Sequence, residues 1–183
     1  GYAEGGWLEG NVVEDRDGQL WDVLRVNART ARDSGWTLWN VAAMVRIGKS
    51  GARLSFDPAD GFIDLPGGHS KFTIRYDAAC ERYLTLSNGV HDLDYPSLRS
   101  VLSLYASPDL RKWSHCLTLL ADDLGDPPEL AAQRTGFQYV DWQFDGEDII
   151  YVVRTAYGGA HSYHDANRIT FHRLTDFPRW LGA

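Results

Sequence analysis

The chain has 183 residues, of which 44% are apolar and 13% aromatic, a composition that excludes a disordered polymer and suffices for a packed core. A net charge of −7, with no block of basic residues, argues against a nucleic-acid backbone or an anionic membrane surface as the main partner. No apolar run approaches the length needed to cross a bilayer, and Cys80 and Cys116 lack the spacing of a metal site, so buried free thiols are expected and neither metal nor cofactor.

The first recognisable element is a hairpin, Glu9 to Asn27, in which two apolar strands flank the turn Asp15-Arg16-Asp17-Gly18. Strands over Thr37 to Ile47 and Ala52 to Phe56 follow it. A second hairpin, Ser70 to Asn88, turns at Asp77-Ala78-Ala79-Cys80 and is followed by strands Ser100 to Ala106 and Trp113 to Ala121. Pro128 to Arg134 reads as a short connecting helix. A third hairpin, Phe137 to Thr155, turns at Asp145-Gly146-Glu147-Asp148, and Asn167 to Leu174 supplies one more strand. If Arg25, Asn88 and Arg154 are equivalent, the units repeat at intervals of 63 and 66 residues.

Four antiparallel strands repeated at a near-constant period predict an all-β fold, a β-propeller with blades over about 7–57, 69–121 and 136–175. A sandwich would not require such regular hairpins. Propellers close with four or more blades, so three imply part of a five- or six-bladed ring. The first residue is Gly1 rather than Met, no signal peptide is visible, and the last unit lacks a fourth strand. The expectation is therefore a partial propeller, completed by a missing N-terminal half or by a partner chain.

In such a ring the start of each innermost strand, the end of each second strand and the start of each third strand share one rim. Glu9, Lys71 and Gln138 occupy the first position, Arg25, Asn88 and Arg154 the second, and His161, His164 and Asp165 precede the last third strand. Each could be a solvated strand-end residue. Yet Arg25 and Arg154 sit between β-branched neighbours, where an unpaired charge is costly, so each calls for a carboxylate from Glu9, Asp141 or a ligand. Alternation along the strand puts Tyr139 and Asp141 on one side, as packing residues or as a phenol and carboxylate facing the rim arginines. The glycine-rich approach Tyr157 to Tyr163, ending at His164 and Asp165, is either a structural turn or an acid/base loop.

Glu9-Gly10-Asn11-Val12-Val13, the Asp17-Gly18 turn and Arg25 together resemble the sialidase pattern of a Glu, an apolar strand, an Asp-Gly turn and an Arg. Gly136-Phe137-Gln138-Tyr139-Val140-Asp141 resembles that family's later, tyrosine-bearing segment. The resemblance implies Glu9 as helper carboxylate, Arg25 as one of a triad of arginines gripping the substrate carboxylate, and Tyr139 as nucleophile. Asp141, His164 and Asp165 complete the candidate catalytic set, and Arg25, Lys71, Asn88, Gln138, Arg154 and His161 the candidate substrate-binding set. A further arginine of the triad and an acid Asp would then lie upstream of Gly1.

Ser107-Pro108-Asp109-Leu110-Arg111-Lys112-Trp113 departs from the sialidase Asp box, being one residue shorter and lacking its glycine. It is closer to the turn of arabinanase- and invertase-like five-bladed propellers, and is expected to be structural. Phe72-Thr73-Ile74-Arg75-Tyr76 and His164-Asp165-Ala166-Asn167 also resemble bacterial sialidase-like proteins. The implied function is a secreted or periplasmic glycoside hydrolase acting on a glycan, with an acidic sugar in view. A non-catalytic glycan-binding propeller and a polysaccharide lyase using His164 and Tyr139 are the alternatives.

Overall fold

A computed structural model describes residues 6–27 and 39–182; within them the chain folds into three antiparallel sheets packed face to face in chain order. The first sheet holds β1 (Trp7–Glu14), β2 (Leu20–Val26), β3 (Val41–Ile47), β4 (Leu54–Ser55) and β5 (Phe62–Asp64). The second holds β6 (Ile74–Asp77), β7 (Arg82–Ser87), β8 (Val101–Ser107) and β9 (Ser114–Ala121). After the helix α1 (Pro128–Arg134), the third holds β10 (Gly136–Asp145), β11 (Asp148–Ala156) and β12 (Arg168–Leu174). Each sheet is a meander whose first strands pair in sequence order, the blade of a propeller, with β5 alone returning to pair with β3. The fold is all-β, a partial β-propeller.

Two expectations about strands need adjustment. The fourth strand of the first blade is split: β4 pairs with the end of β3 and β5 with its start, and the Met44 amide donates to the Gly61 carbonyl between them. Thr37 lies outside the described residues, and the third strand there begins at Val41. In the second blade the innermost strand starts at Ile74, not Ser70. Asn11 of β1 holds the preceding segment instead, donating to the Phe72 carbonyl and accepting from the Ile74 amide.

The middle blade is covered on both faces, so β7 and β8 are buried along nearly their whole length. Tyr83 packs toward the first blade with Val13, Val23, Met44 and Phe72. Leu84, Leu86, Leu102 and Leu104 pack toward the third, against Trp142, Ile149, Tyr151 and Val153. Each such buried side chain contributes roughly 1.5–3 kcal/mol. The two outer faces differ, with Val12 of the first blade and Ile169 and Phe171 of the third exposed.

The turn at Ser107–Trp113 is a structural clasp. Asp109 accepts from the Arg111 and Lys112 amides at 2.9 and 2.8 Å, its own amide donates to the Ser107 hydroxyl, and Leu110 takes φ 66°. The Trp113 indole donates to the Leu110 carbonyl and its ring packs between the first two blades. Partial burial alone would raise the Asp109 pKa, but these amides, the Ser107 hydroxyl and the Lys112 charge outweigh it and hold the carboxyl below its ordinary value. Both cysteines are free and half-buried.

Candidate functional site

The innermost strands of the first and third blades carry matching β-bulges. In β1 the register slips between Leu8 and Asn11, and in β10 between Gln138 and Asp141. Glu9 and Tyr139 occupy the bulges, both with φ 52°. Neither is a residue that favours the left-handed region, so both positions store backbone strain. The bulges also tie sequence position to geometry, since Leu8 faces Arg25 and Gln138 faces Arg154 immediately beside them.

The bulge interrupts the alternation expected to put Tyr139 and Asp141 on one side. The Tyr139 ring lies under the Arg154 guanidinium at 5.3 Å and edge-on to His164 at 6.1 Å. Asp141 instead meets Arg75 of β6 at 3.5 Å. Arg25 donates from Nη1 to the Glu9 carboxylate at 3.1 Å and from Nε to the His69 carbonyl at 2.8 Å, so its carboxylate comes from Glu9. Arg154 donates to the His164 carbonyl at 2.6 Å and makes no ion pair among the described residues.

The other candidates separate into an inner and an outer group. Lys71 is half-buried, bound to the Phe72 carbonyl and the Thr73 hydroxyl, and its pKa is lowered by burial, against the pull of Glu9 and Asp141. Gln138 is fully buried between Arg99 and the Tyr163 carbonyl. Asn88 is buried one residue beyond β7 and donates to the Val101 and Phe137 carbonyls, tying the second blade to the third. His161 and Asp165 form an exposed pair at 3.0 Å on the loop before β12, and hydrogen bonds from His161 and Ser162 hold the Asp165 carboxyl below its ordinary value. His164 bridges the groups, its ring near both Tyr139 and Asp165.

Two residues that the sequence reading did not select stand at the centre. Arg99, 7% exposed, precedes β8; it donates to the Gln138 side-chain oxygen and lies over the Tyr163 ring at 5.6 Å. Burial lowers its pKa most, with Tyr163, Arg25, Tyr139 and Glu9 the charges it feels. The start of a third strand lies on the rim, and that rule applied to the second blade points at Arg99. His69, 6% exposed, lies edge-on to Trp39 at 5.9 Å and offers its carbonyl to Arg25. Only its Gly67-Gly68 prefix hints at a tightly packed turn. Arg25, Arg99, Lys71 and Arg154 thus supply the cations of the candidate site, with the Glu9 carboxylate and the Tyr139 phenol on strained backbone.

Burial, then Arg99, then Arg25 push the His69 pKa down to about 4. Between about pH 4 and pH 6.5 the unfolded chain binds a proton that the folded chain refuses, so stability rises with pH through that window and falls on acidification. The loss is on the order of 3 kcal/mol. Urea unfolding midpoints at about pH 6.5 and pH 4.5 should therefore separate less in His69→Gln than in the unaltered protein. Equal separations would show that His69 protonates freely in the fold.

A groove of about 810 Å³ opens at the opposite end of the innermost strands, lined by Glu14, Arg16, Tyr76 and Glu81 among others; it contains none of the candidates, only Arg75, the partner of Asp141. No group of three or more metal-ligating side chains occurs among the described residues. No helix among them is long and apolar enough to cross a membrane.

No protein-family model matches the sequence, and no curated protein matches it. Solved structures do resemble it. The α-L-arabinofuranosidase of Fusarium graminearum, in complex with arabinobiose, aligns with a TM-score of 0.58 at 13% identity over 96% of this chain and 47% of that one. The α-L-arabinanase of Penicillium chrysogenum, also with arabinobiose, gives 0.57 at 12% identity over 96% and 48%. A protein of unknown function from Dyadobacter fermentans gives 0.59 at 13% identity over 96% and 49%. The chain spans about half the length of the structures it resembles. The likeness shows a β-propeller fold shared with these structures.

Proposed function

We propose that this chain forms the later blades of a glycan-cleaving propeller whose site takes a sugar bearing a carboxylate. One observation carries the reading: Glu9 and Tyr139 occupy equivalent bulges of two innermost strands, with Arg25, Arg99 and Arg154 gathered around them. The guanidiniums would grip the substrate carboxylate, and Lys71 a hydroxyl. The Tyr139 hydroxyl would attack the anomeric carbon as Glu9 takes its proton and the glycosidic C–O bond breaks, with His164 protonating the leaving oxygen. Water would then release the sugar from Tyr139. A phenol suits an anionic substrate, because a carboxylate nucleophile would be repelled by it.

The bound arabinobiose in two of the similar propellers supports a carbohydrate ligand. The exposed Val12, Ile169 and Phe171 on the two outer faces support further blades that close the ring. The test uses a protein containing the complete propeller, offered aryl glycosides of carboxylated sugars beside their neutral counterparts. Preferential release of the aglycone from the acidic set is expected. Cleavage confined to neutral arabinosides would remove the carboxylate from the reading, and an unsaturated product absorbing in the near-ultraviolet would replace hydrolysis with elimination. Binding without any cleavage would leave a glycan-binding propeller.

A further inference from the structure

Glu9 and Tyr139 take φ 52° inside bulges that leave them outside the strand ladder, so pairing within each sheet does not fix them. Strained backbone of this kind persists only where its surroundings over-determine it. In both blades regular pairing resumes at an equivalent residue, Asn11 opposite Val23 and Asp141 opposite Val152. Both residues reach sideways to the middle blade, and both reach the same short segment, 72–75, where its innermost strand begins.

From the first blade, Asn11 donates to the Phe72 carbonyl at 3.1 Å and accepts from the Ile74 amide at 3.3 Å. The same side-chain nitrogen donates to the Glu9 carbonyl at 3.2 Å, so one side chain links the bulged residue itself to the segment. From the third blade, the Trp142 indole donates to the Thr73 carbonyl at 3.0 Å. Arg75 returns the contact: its Nε donates to the Trp142 carbonyl at 2.6 Å, and its Nη2 meets Asp141 at 3.5 Å. Lys71 bends its ammonium back to the Phe72 carbonyl at 2.7 Å and the Thr73 hydroxyl at 3.1 Å. Phe72 and Thr73 precede β6, so their carbonyls lie outside its ladder with β7 and are open to these neighbours. Phe72 and Ile74 are buried in the core shared by the first two blades, which anchors the segment.

We propose that segment 72–75 is a shared brace and that Asn11, Arg75 and Trp142 are positioning residues. They hold the Glu9 and Tyr139 bulges to one reference, so that carboxylate and phenol keep a fixed relation although they stand on different blades. Their part is to hold the two groups, not to touch the substrate. The physical reason lies in how blades join. Apolar packing between sheets tolerates small slides of one over another, whereas hydrogen bonds are directional and do not. A site assembled from the first and third blades therefore needs directional bonds to the blade between them. This deepens the functional reading above and rests on it for the roles of Glu9 and Tyr139, but the brace itself is tested without substrate.

The first test is hydrogen exchange in the isotopically labelled chain, read by NMR at two bonds of the brace. The Ile74 amide reports the bond to Asn11, and the Trp142 indole reports the bond from the third blade. In the unaltered chain the two should open with the same denaturant dependence, as one unit. Asn11→Ala, a change in the first blade, should speed exchange of the Trp142 indole about tenfold. The Trp21 and Trp113 indoles, bonded to Asp15 and Leu110, should keep their rates, which separates a released brace from general loosening. Trp142→Phe, which deletes the third-blade donor, should speed the Ile74 amide in the same way. In the complete propeller, Asn11→Ala should lower kcat on a carboxylated aryl glycoside about tenfold and leave KM within about twofold. Adding Trp142→Phe should cost little more, because the brace is already released. A Trp142 indole unmoved by Asn11→Ala, or two bonds that open separately in the unaltered chain, would overturn the brace. A raised KM with kcat intact, or losses that multiply in the double variant, would overturn the positioning role. Exchange as expected with no cleavage by the unaltered propeller would instead refute the functional reading and leave the brace standing.

Discussion

Tyr139→Phe in the complete propeller should lower kcat by about a thousandfold or more while changing substrate affinity by only a few-fold. The substitution removes one hydroxyl and keeps the ring, whose position is set by Arg154 above its face at 5.3 Å and by His164 at its edge. The backbone strain at φ 52° is the same for phenylalanine, so the bulge persists and folding should be undisturbed. What disappears is the one atom able to form the covalent bond. Glu9→Gln should depress kcat less, because the amide still accepts from Arg25 and only the proton acceptor is lost. Steady-state kinetics on a released aglycone decides the matter. Turnover within a few-fold of normal in Tyr139→Phe would take the phenol out of the mechanism.

Gly68→Ala should destabilise the fold by about 3 kcal/mol or more, the largest effect expected of any single methyl group added here. A Cβ at this position would stand 2.5 Å from the Val41 carbonyl oxygen, 2.6 Å from its carbon and 2.9 Å from the Ala42 nitrogen. These are backbone atoms of β3, in the middle of a sheet, and cannot move aside as a side-chain tip would. The Gly68 carbonyl also anchors the Val26 amide at 3.0 Å, so any displacement reaches the end of β2, where Arg25 sits. Gly146→Ala is the contrast. That residue has φ +64° in an open hairpin turn with nothing within 4 Å of a new Cβ, so only the local backbone preference is lost, at about 1 kcal/mol. Denaturant unfolding of the two variants should rank them in that order, and an equal cost would mean that β3 yields more readily than a packed sheet should.

The two variants also mark where sequence reading works. The hairpins, the helix at Pro128–Arg134 and the clasp at Ser107–Trp113 were legible because each is a local matter of period, turn chemistry and short-range hydrogen bonds. The split fourth strand of the first blade was not, because β4 and β5 are too short to show a period and are held by pairing with β3. Glu9, Arg25, Tyr139 and Arg154 could be singled out as polar residues in apolar strands. Their bulges could not be foreseen, since a bulge is the addition of one residue relative to a partner strand, and the partner is known only once the sheet is formed. Asp141 shows the consequence, for period-two counting ran across the slip and paired it with Tyr139 rather than with Arg75.

Asn88 and Gln138 show a further limit. A polar residue at a strand end looks the same in sequence whether it meets solvent, a ligand or a neighbouring backbone, and both are buried, satisfied by groups from distant segments. Arg99 and His69 are the converse, central in space and inconspicuous in the chain. The amino-acid sequence by itself determined an all-β chain of repeating antiparallel units, because strand periodicity and turn residues act over a few positions. Which side chains meet at the candidate site was decided by the packing of one blade on the next, since contacts between residues 40 to 90 positions apart depend on the angle between sheets and not on any local preference.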